Sequence, residues 1–202
     1  MRPLRRAGPA VIAAAIALGG CSIATQHSAV PLPQQLTNST TTTIPVVNPT
    51  NHLSVYFLQH GRLVSVPVPN NPSDPLGSAL TALGIGPTAA QAARGITSGF
   101  SEAPASLQIA GTVAKGGTAS VAVDTSFLNL SVLALEEASA QVVFTLTGLA
   151  NGPSSVRFIL DGQALESFVP PGRLVNRNVT RLDYCIFAPL DYTPCAQISS
   201  SS

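Results

Sequence analysis

The groups in this chain that could do chemistry are few and widely spaced. The histidines are His27, His52 and His60, and none has a second histidine four residues away, the helical spacing that lets two imidazoles share a metal. Glu136 and Glu137 are adjacent, so on a helix they point in different directions and do not form an acid–base pair. Asp124, followed by Thr125, Ser126 and Phe127, is the carboxylate that merits weighing as a base. Its context fits a turn or cap better, because Asp and Ser satisfy nearby backbone donors, and Phe127 fits a core position. A Gly-x-Ser-x-Gly elbow is absent, and no glycine turn carries the Gly-Lys-Ser/Thr ending of a phosphate loop. The reading is of a non-enzyme with no catalytic residue, no metal site and no cofactor.

Cys185 and Cys195 stand ten residues apart, with Pro189 and Pro194 between them. Outside the cytoplasm an even pair reads as a disulfide, with free thiols or a metal site as the alternatives. A metal would need further ligands, and no histidine lies beyond His60. Arg173, Arg177 and Arg181 recur every four residues just before the pair. They read either as a solvated segment, with Arg181 paired to Asp183 or to the domain, or as a contact surface for a carboxylate-rich partner.

The third cysteine has different surroundings. Arg2, Arg5 and Arg6 precede the apolar run Val11–Leu18, and Gly19-Gly20 lead into Cys21. A basic start, a short apolar stretch and small residues at a cleavage point make a secretory signal over residues 1–20. Leu18-Gly19-Gly20-Cys21 resembles the lipobox of bacterial lipoproteins, which implies a mature chain beginning at Cys21 with a diacylglycerol on its sulfur. The apolar run is too short to span a bilayer, which takes about 20 residues. Two acyl chains hold a protein on a membrane where one does so only marginally. The expected location is the extracytoplasmic face of the cell membrane, with an ordinary secreted protein as the alternative.

Charged residues make up only 9% of the chain, with Lys115 the sole lysine and a net charge of +1. Nucleic-acid binding through phosphates needs clustered cations and is excluded as a class. Residues 21–51 carry the uncharged, Thr/Pro/Ser-rich stretch Pro31–Pro45, which buries too little apolar surface to order itself. They are read as a membrane tether reaching ~30–90 Å, and Thr40 to Thr43 are possible O-glycosylation sites.

The elements begin near His52. Leu53, Val55 and Phe57 alternate along one strand, Gln59-His60-Gly61-Arg62 is a turn, and Leu63–Val68 is a second strand that Pro67 assigns to a sheet edge. Asp74-Pro75 opens a helix with Leu76, Ala79, Leu80 and Leu83 on one face, and Gly84 is expected to end it. Thr88-Ala89-Ala90-Gln91 is a capping box for a second short helix closed by Gly95. Strands around Leu107–Val113 and Ala119–Val123 are joined at Lys115-Gly116-Gly117. The longest helix spans about Leu133–Leu146, with Leu135, Ala138, Val142 and Leu146 as its stripe, and the nearly continuous apolar strand Val156–Leu160 is expected to be central. Asp161-Gly162 turns the chain toward Leu165. This order predicts an α+β fold: a mixed sheet of about five strands with helices packed mainly on one face.

The ordered set of motifs resembles the GerMN domain family of spore-germination proteins and bacterial envelope lipoproteins. Val55-Tyr56-Phe57-Leu58 with Leu63-Val64 and Val66 resembles its opening, Gly86-Pro87-Thr88 with Gly95-Ile96 its Gly-Pro-Thr turn and short helix, and Val121-Ala122-Val123-Asp124-Thr125-Ser126-Phe127 its strand end, shortened by one residue. Gln141–Leu146 resembles its second helix, and Val156–Phe158 with Asp161-Gly162 its last strand. The resemblance implies a single GerMN-like domain over residues 52–170, followed by a tail, 171–202, that carries the cysteine pair. It implies a non-enzymatic interaction or assembly module in the envelope, with an envelope protein as partner. The alternative is a module that binds a small molecule or cell-wall glycan.

Overall fold

The computed structural model describes residues 51–101 and 105–196. The expected signal segment, Cys21 and the expected tether up to residue 50 lie outside the described residues. Among those described, no helix is long and apolar enough to cross a membrane.

Strands β1 (His52–Gln59) and β2 (Arg62–Pro69) pair antiparallel through a two-residue turn at His60-Gly61. Both turn residues have positive φ, 52° and 73°, the conformation that matches the right-handed twist of the flanking strands. Pro67 lies on β2, the edge of a three-stranded sheet ordered β2-β1-β3, with β3 the two residues Ile96–Thr97. A second, mixed sheet runs β4 (Leu107–Ile109), β5 (Thr118–Val123), β6 (Ser155–Leu160) and β7 (Gln163–Ala164). Within it β5 and β6 are parallel and the outer pairs antiparallel, so β6 is internal, as its apolar run predicts. Strands β8 (Ser167–Val169) and β9 (Arg173–Val175) form a separate antiparallel pair.

The architecture is α+β with a mixed sheet, but the strands divide among three sheets. Five of them, β3, β4, β7, β8 and β9, are two or three residues long, and all but β4 fall where no period-two pattern registers.

Helix α1 (Pro75–Ile85) starts where expected: the Asp74 carboxylate accepts from Gly77 N at 2.9 Å, and Pro75 is the first helical residue. It does not stop at Gly84. The stop requires a backbone with positive φ, and that residue is Gly86 at 82°, whose N–H donates to Ala82 O. Helix α2 (Ala89–Ala92) carries both arms of its capping box, Gln91 N to Thr88 Oγ1 at 3.3 Å and Thr88 N to Gln91 Oε1 at 2.8 Å. A single-turn helix α3 (Thr125–Leu128) follows β5.

Helix α4 (Val132–Leu146) crosses from β5 to the parallel strand β6 and is buried nearly all round from Ala134 onward. Its polar residues are consumed internally. Tyr56 N donates to Thr145 Oγ1 at 2.9 Å, and Gln141 Nε2 donates to Tyr56 O at 3.0 Å. Gln141 and Thr145, four residues apart on one helix face, thus satisfy both backbone groups of Tyr56. The strand β3 pairs only with Leu58 and Gln59, so α4 covers the edge of β1 that β3 leaves open.

The segment beyond residue 170 joins the same core. Val179 bridges Val156 in both directions, and Tyr184 is fully buried on a 3-10 segment, Arg181–Phe187. The short helix α5 (Thr193–Ala196) ends the described chain.

Candidate functional site

Two surface features combine accessible apolar residues with nearby polar groups. The first is a cleft of about 370 Å³ beyond the carboxyl end of β5. Asp124 positions one wall. Its carboxylate accepts from Ser126 N at 2.9 Å, capping α3, and from Ser106 N at 2.7 Å, which ties the start of β4 to the end of β5. The Ser106 bond, with those from Ser126 and Phe127, holds the Asp124 carboxyl below its ordinary value. A carboxylate committed to three backbone donors is a cap, as its sequence context suggested.

Capping α3 this way fixes Phe127, whose ring stacks on Phe158 at 5.5 Å and lies 6.3 Å from Phe100. Phe127, Phe158 and Leu135 are buried and line the cleft. Leu165 and Phe168 line it from the chain after the Asp161-Gly162 turn, whose residues have φ of 49° and 77°. Leu128 and Leu174, also among the lining residues, are 45% and 49% exposed. The polar members of the lining are Ser139, Ser167 and Glu166, of which Glu166 alone is charged. The Glu136 carboxylate supports this region from α4, accepting from Gly172 N just before β9.

The second feature surrounds the cysteine pair. Cys185 and Cys195 are bonded, with Sγ–Sγ 2.04 Å, closing the alternative of free thiols or a metal. The bridged loop lines two adjoining cavities of about 470 and 440 Å³ that share Arg62, Pro189 and Leu190. Ile186 and Leu190 stand 61% and 88% exposed on this stapled loop, and Leu182, which precedes it, is 54% exposed.

The structure does not bring the three arginines to one face. Arg173 is exposed on β9. Arg177 forms a two-pronged ion pair with Asp183, which raises the arginine's own pKa. Burial alone pushes the Asp183 carboxyl up, but hydrogen bonds from Arg177 and Thr180 outweigh it and hold the group below its ordinary value. Arg181 points inward, its guanidinium 5.7, 5.0 and 5.5 Å from the ring centroids of Tyr56, Phe144 and Tyr192. Four-residue spacing suggests one helix face, but these residues occupy a strand, a bend and a 3-10 turn.

The other motif residues punctuate the backbone. Gly86 terminates α1, Pro87 leads into α2, Thr88 caps it, and Asp161-Gly162 make the turn between β6 and β7. His52 and His60 are exposed, and no group of three or more His, Cys, Asp or Glu side chains able to hold a metal occurs among the described residues. Of the cleft, Phe127, Leu135, Phe158 and Leu165 were legible in the sequence singly. Glu166, Phe168 and Leu174 carry no local signal, because the chain returns to the cleft only through the third sheet.

Fold and surfaces define a small α+β domain in which a buried crossover helix backs an apolar cleft and a disulfide-stapled loop. Residues 54–166, more than half of the chain, match the model of the Germane family, described as sporulation and spore germination. The chain belongs to that family. Among solved structures it is similar to the tandem GerMN domains of the sporulation protein GerM from Bacillus subtilis. That match has 22% identity and a TM-score of 0.48, covering 70% of this chain and 50% of that one. It is also similar to the first GerMN domain of the same protein, with 18% identity and a TM-score of 0.48, covering 64% of this chain and 97% of that one. The chain thus spans about half the length of the tandem structure. No curated protein matches it.

Proposed function

We propose that this protein is a lipid-anchored envelope module, held at Cys21 on the extracytoplasmic face of the membrane, whose folded part, the Germane domain with the stapled loop that follows it, binds another envelope protein without catalysing a reaction. The observation that carries the binding role is the stapled apolar platform. Ile186 and Leu190 are both more than half exposed within one short, disulfide-closed loop, and Leu182, just before that loop, is more than half exposed as well. Large apolar side chains held out on a rigid support are the mark of a surface that another protein covers. The anchor rests on the sequence around Cys21, and the tether sets how far the platform reaches.

The test has two parts. Cys21→Ala is expected to release the protein from the membrane fraction; retention there contradicts the anchor. A photo-crosslinking residue at Leu190, activated in living cells, is expected to capture a specific envelope protein, with capture lost in Ile186→Glu. Reproducible absence of any protein adduct sinks the interaction role.

A second reading has its own observation. The 370 Å³ cleft falls within the size range of small-molecule sites and has their composition, apolar and aromatic walls with few polar groups. It favours a module that binds a small ligand.

A further inference from the structure

We propose that the cleft beyond β5 is a binding site for small apolar amines, with the apolar body against the phenylalanines and the protonated nitrogen at Glu166. This rests on the ligand-binding reading of the cleft and adds the chemical class of the ligand.

The walls exclude most alternatives. Phe127 and Phe158 stack to form one side, and Leu135, Leu165 and Phe168 complete an apolar interior. Such walls take a hydrocarbon chain or ring and leave a sugar's hydroxyls without partners. Leu128 and Leu174, half exposed, extend the apolar surface outward, so a ligand longer than the cleft is still accommodated.

Charge then selects among apolar ligands. Glu166 is the one charged lining residue, it is exposed, and it has no hydrogen-bond or ion-pair partner among the described residues. No lysine or arginine belongs to the lining. An acyl chain ending in a carboxylate therefore meets like charge, whereas one ending in an ammonium meets opposite charge. The lining holds a second polar point. Ser167 is 2% exposed, and its hydroxyl is buried without a hydrogen-bond partner among the described residues. Buried hydroxyls are rarely left unpaired in folded proteins. This one belongs to a residue of the same cleft, beside Glu166 in sequence.

The experiment uses the full chain and three photoreactive alkyl diazirines of equal length, ending in a primary amine, an alcohol or a carboxylate. Labelled peptides are mapped by mass spectrometry. Labelling is expected on residues 127–135 and 164–174, with the amine favoured over the carboxylate by about tenfold, the size expected for one exposed charge near the ligand. Glu166→Gln, an exposed and conservative change, is expected to bring the three probes within about twofold of one another. Leu174→Trp, which crowds the mouth, is expected to suppress all three. Equal labelling by the three probes in the unsubstituted chain overturns the amine preference and leaves the cleft as a neutral ligand site. Absence of labelling in both segments overturns the cleft reading as well. An amine preference that persists in Glu166→Gln, or that appears equally at exposed Asp161, assigns the effect to nonspecific attraction and overturns the proposal.

Discussion

The Arg181 guanidinium lies 5.0 Å from the centroid of the Phe144 ring and donates from Nη2 to the Phe144 carbonyl oxygen at 2.7 Å. One arginine thus meets both the face of a core ring and the carboxyl end of the helix that carries it. Its Nε donates to Thr147 Oγ1 at 2.8 Å, and Tyr56 and Tyr192 supply two further ring faces. Cations stabilise a helix's C-terminal end because unpaired carbonyls gather there. Since Tyr56 is on β1, Phe144 on α4 and Tyr192 in the disulfide loop, Arg181 joins the last part of the chain to the core.

Arg181→Ala should therefore lower stability by about 3 kcal/mol, combining the lost charged hydrogen bonds with the cation–ring contacts. Arg181→Lys should recover only a small part, since an ammonium cannot present Nε and Nη2 in a fixed plane. Urea denaturation of both variants checks this; a lysine variant as stable as the parent would show that charge alone matters here.

Gln141 is the buried polar residue on which the most backbone depends. Its Oε1 accepts from Gly99 N at 2.7 Å and its Nε2 donates to Tyr56 O at 3.0 Å. Gln141→Leu keeps roughly the volume but orphans both backbone groups, so a loss of about 3 kcal/mol is expected. Faster amide hydrogen exchange should appear at Gly99. The same neighbourhood constrains Gly99 itself, because an added Cβ would sit 2.5 Å from Ala138 N on α4. Gly99→Ala should therefore cost about 1–3 kcal/mol through overpacking.

These contacts mark the limit of what the sequence discloses. Local chemistry was legible: the Asp74 cap, the Thr88–Gln91 box and the His60-Gly61 and Asp161-Gly162 turns each depend on residues a few positions apart. The pairing of Cys185 with Cys195 was legible by counting. Helix α4 was legible in place but not in depth, because Gln141, Ser139 and Thr145 look like a solvent face and their buried partners lie on β1 and elsewhere. Arg181 is paired to the domain, one of the two pairings its sequence context suggests, but how it pairs was not legible, since its rings come from positions 56, 144 and 192 and Asp183 is held by Arg177 instead. Phe127, Leu135, Phe158 and Leu165 were legible singly, as core or strand positions, but not as one cleft, because its lining comes from elements that meet only after the chain has folded.

Acid should act through Asp183 and Asp124. Both carboxyls are held below the ordinary carboxylate value in the folded chain. A depressed carboxylate contributes stability that is present above its unfolded pKa and is lost as pH falls through the folded value. The chain should hold its stability down to about pH 5 and lose it progressively below about pH 4. Asp183→Asn should be less stable at neutral pH and show a flatter acid limb. Parallel limbs for variant and parent in pH-dependent urea melts would mean that Asp183 is not a source of the acid sensitivity.

The disulfide offers the cleanest separation of the two surfaces. It closes a loop of ten residues' separation, and restricting the unfolded chain over such a loop is worth about 2.5 kcal/mol. Replacing Cys185 and Cys195 together by serine removes that restriction, and with it the support for Tyr192, whose ring meets Phe144 edge-on at 5.3 Å. The double variant should melt at lower urea by an amount matching at least the loop term. It should also lose crosslinking at Leu190, since the platform is no longer held. The apolar cleft is built from α3, α4, β6 and the β8–β9 pair, and none of its lining residues lies beyond Leu174. Diazirine labelling of residues 127–135 and 164–174 should therefore persist in the folded fraction. Loss of both signals together, under conditions where the variant is still folded, would show that the stapled loop and the cleft are mechanically one site.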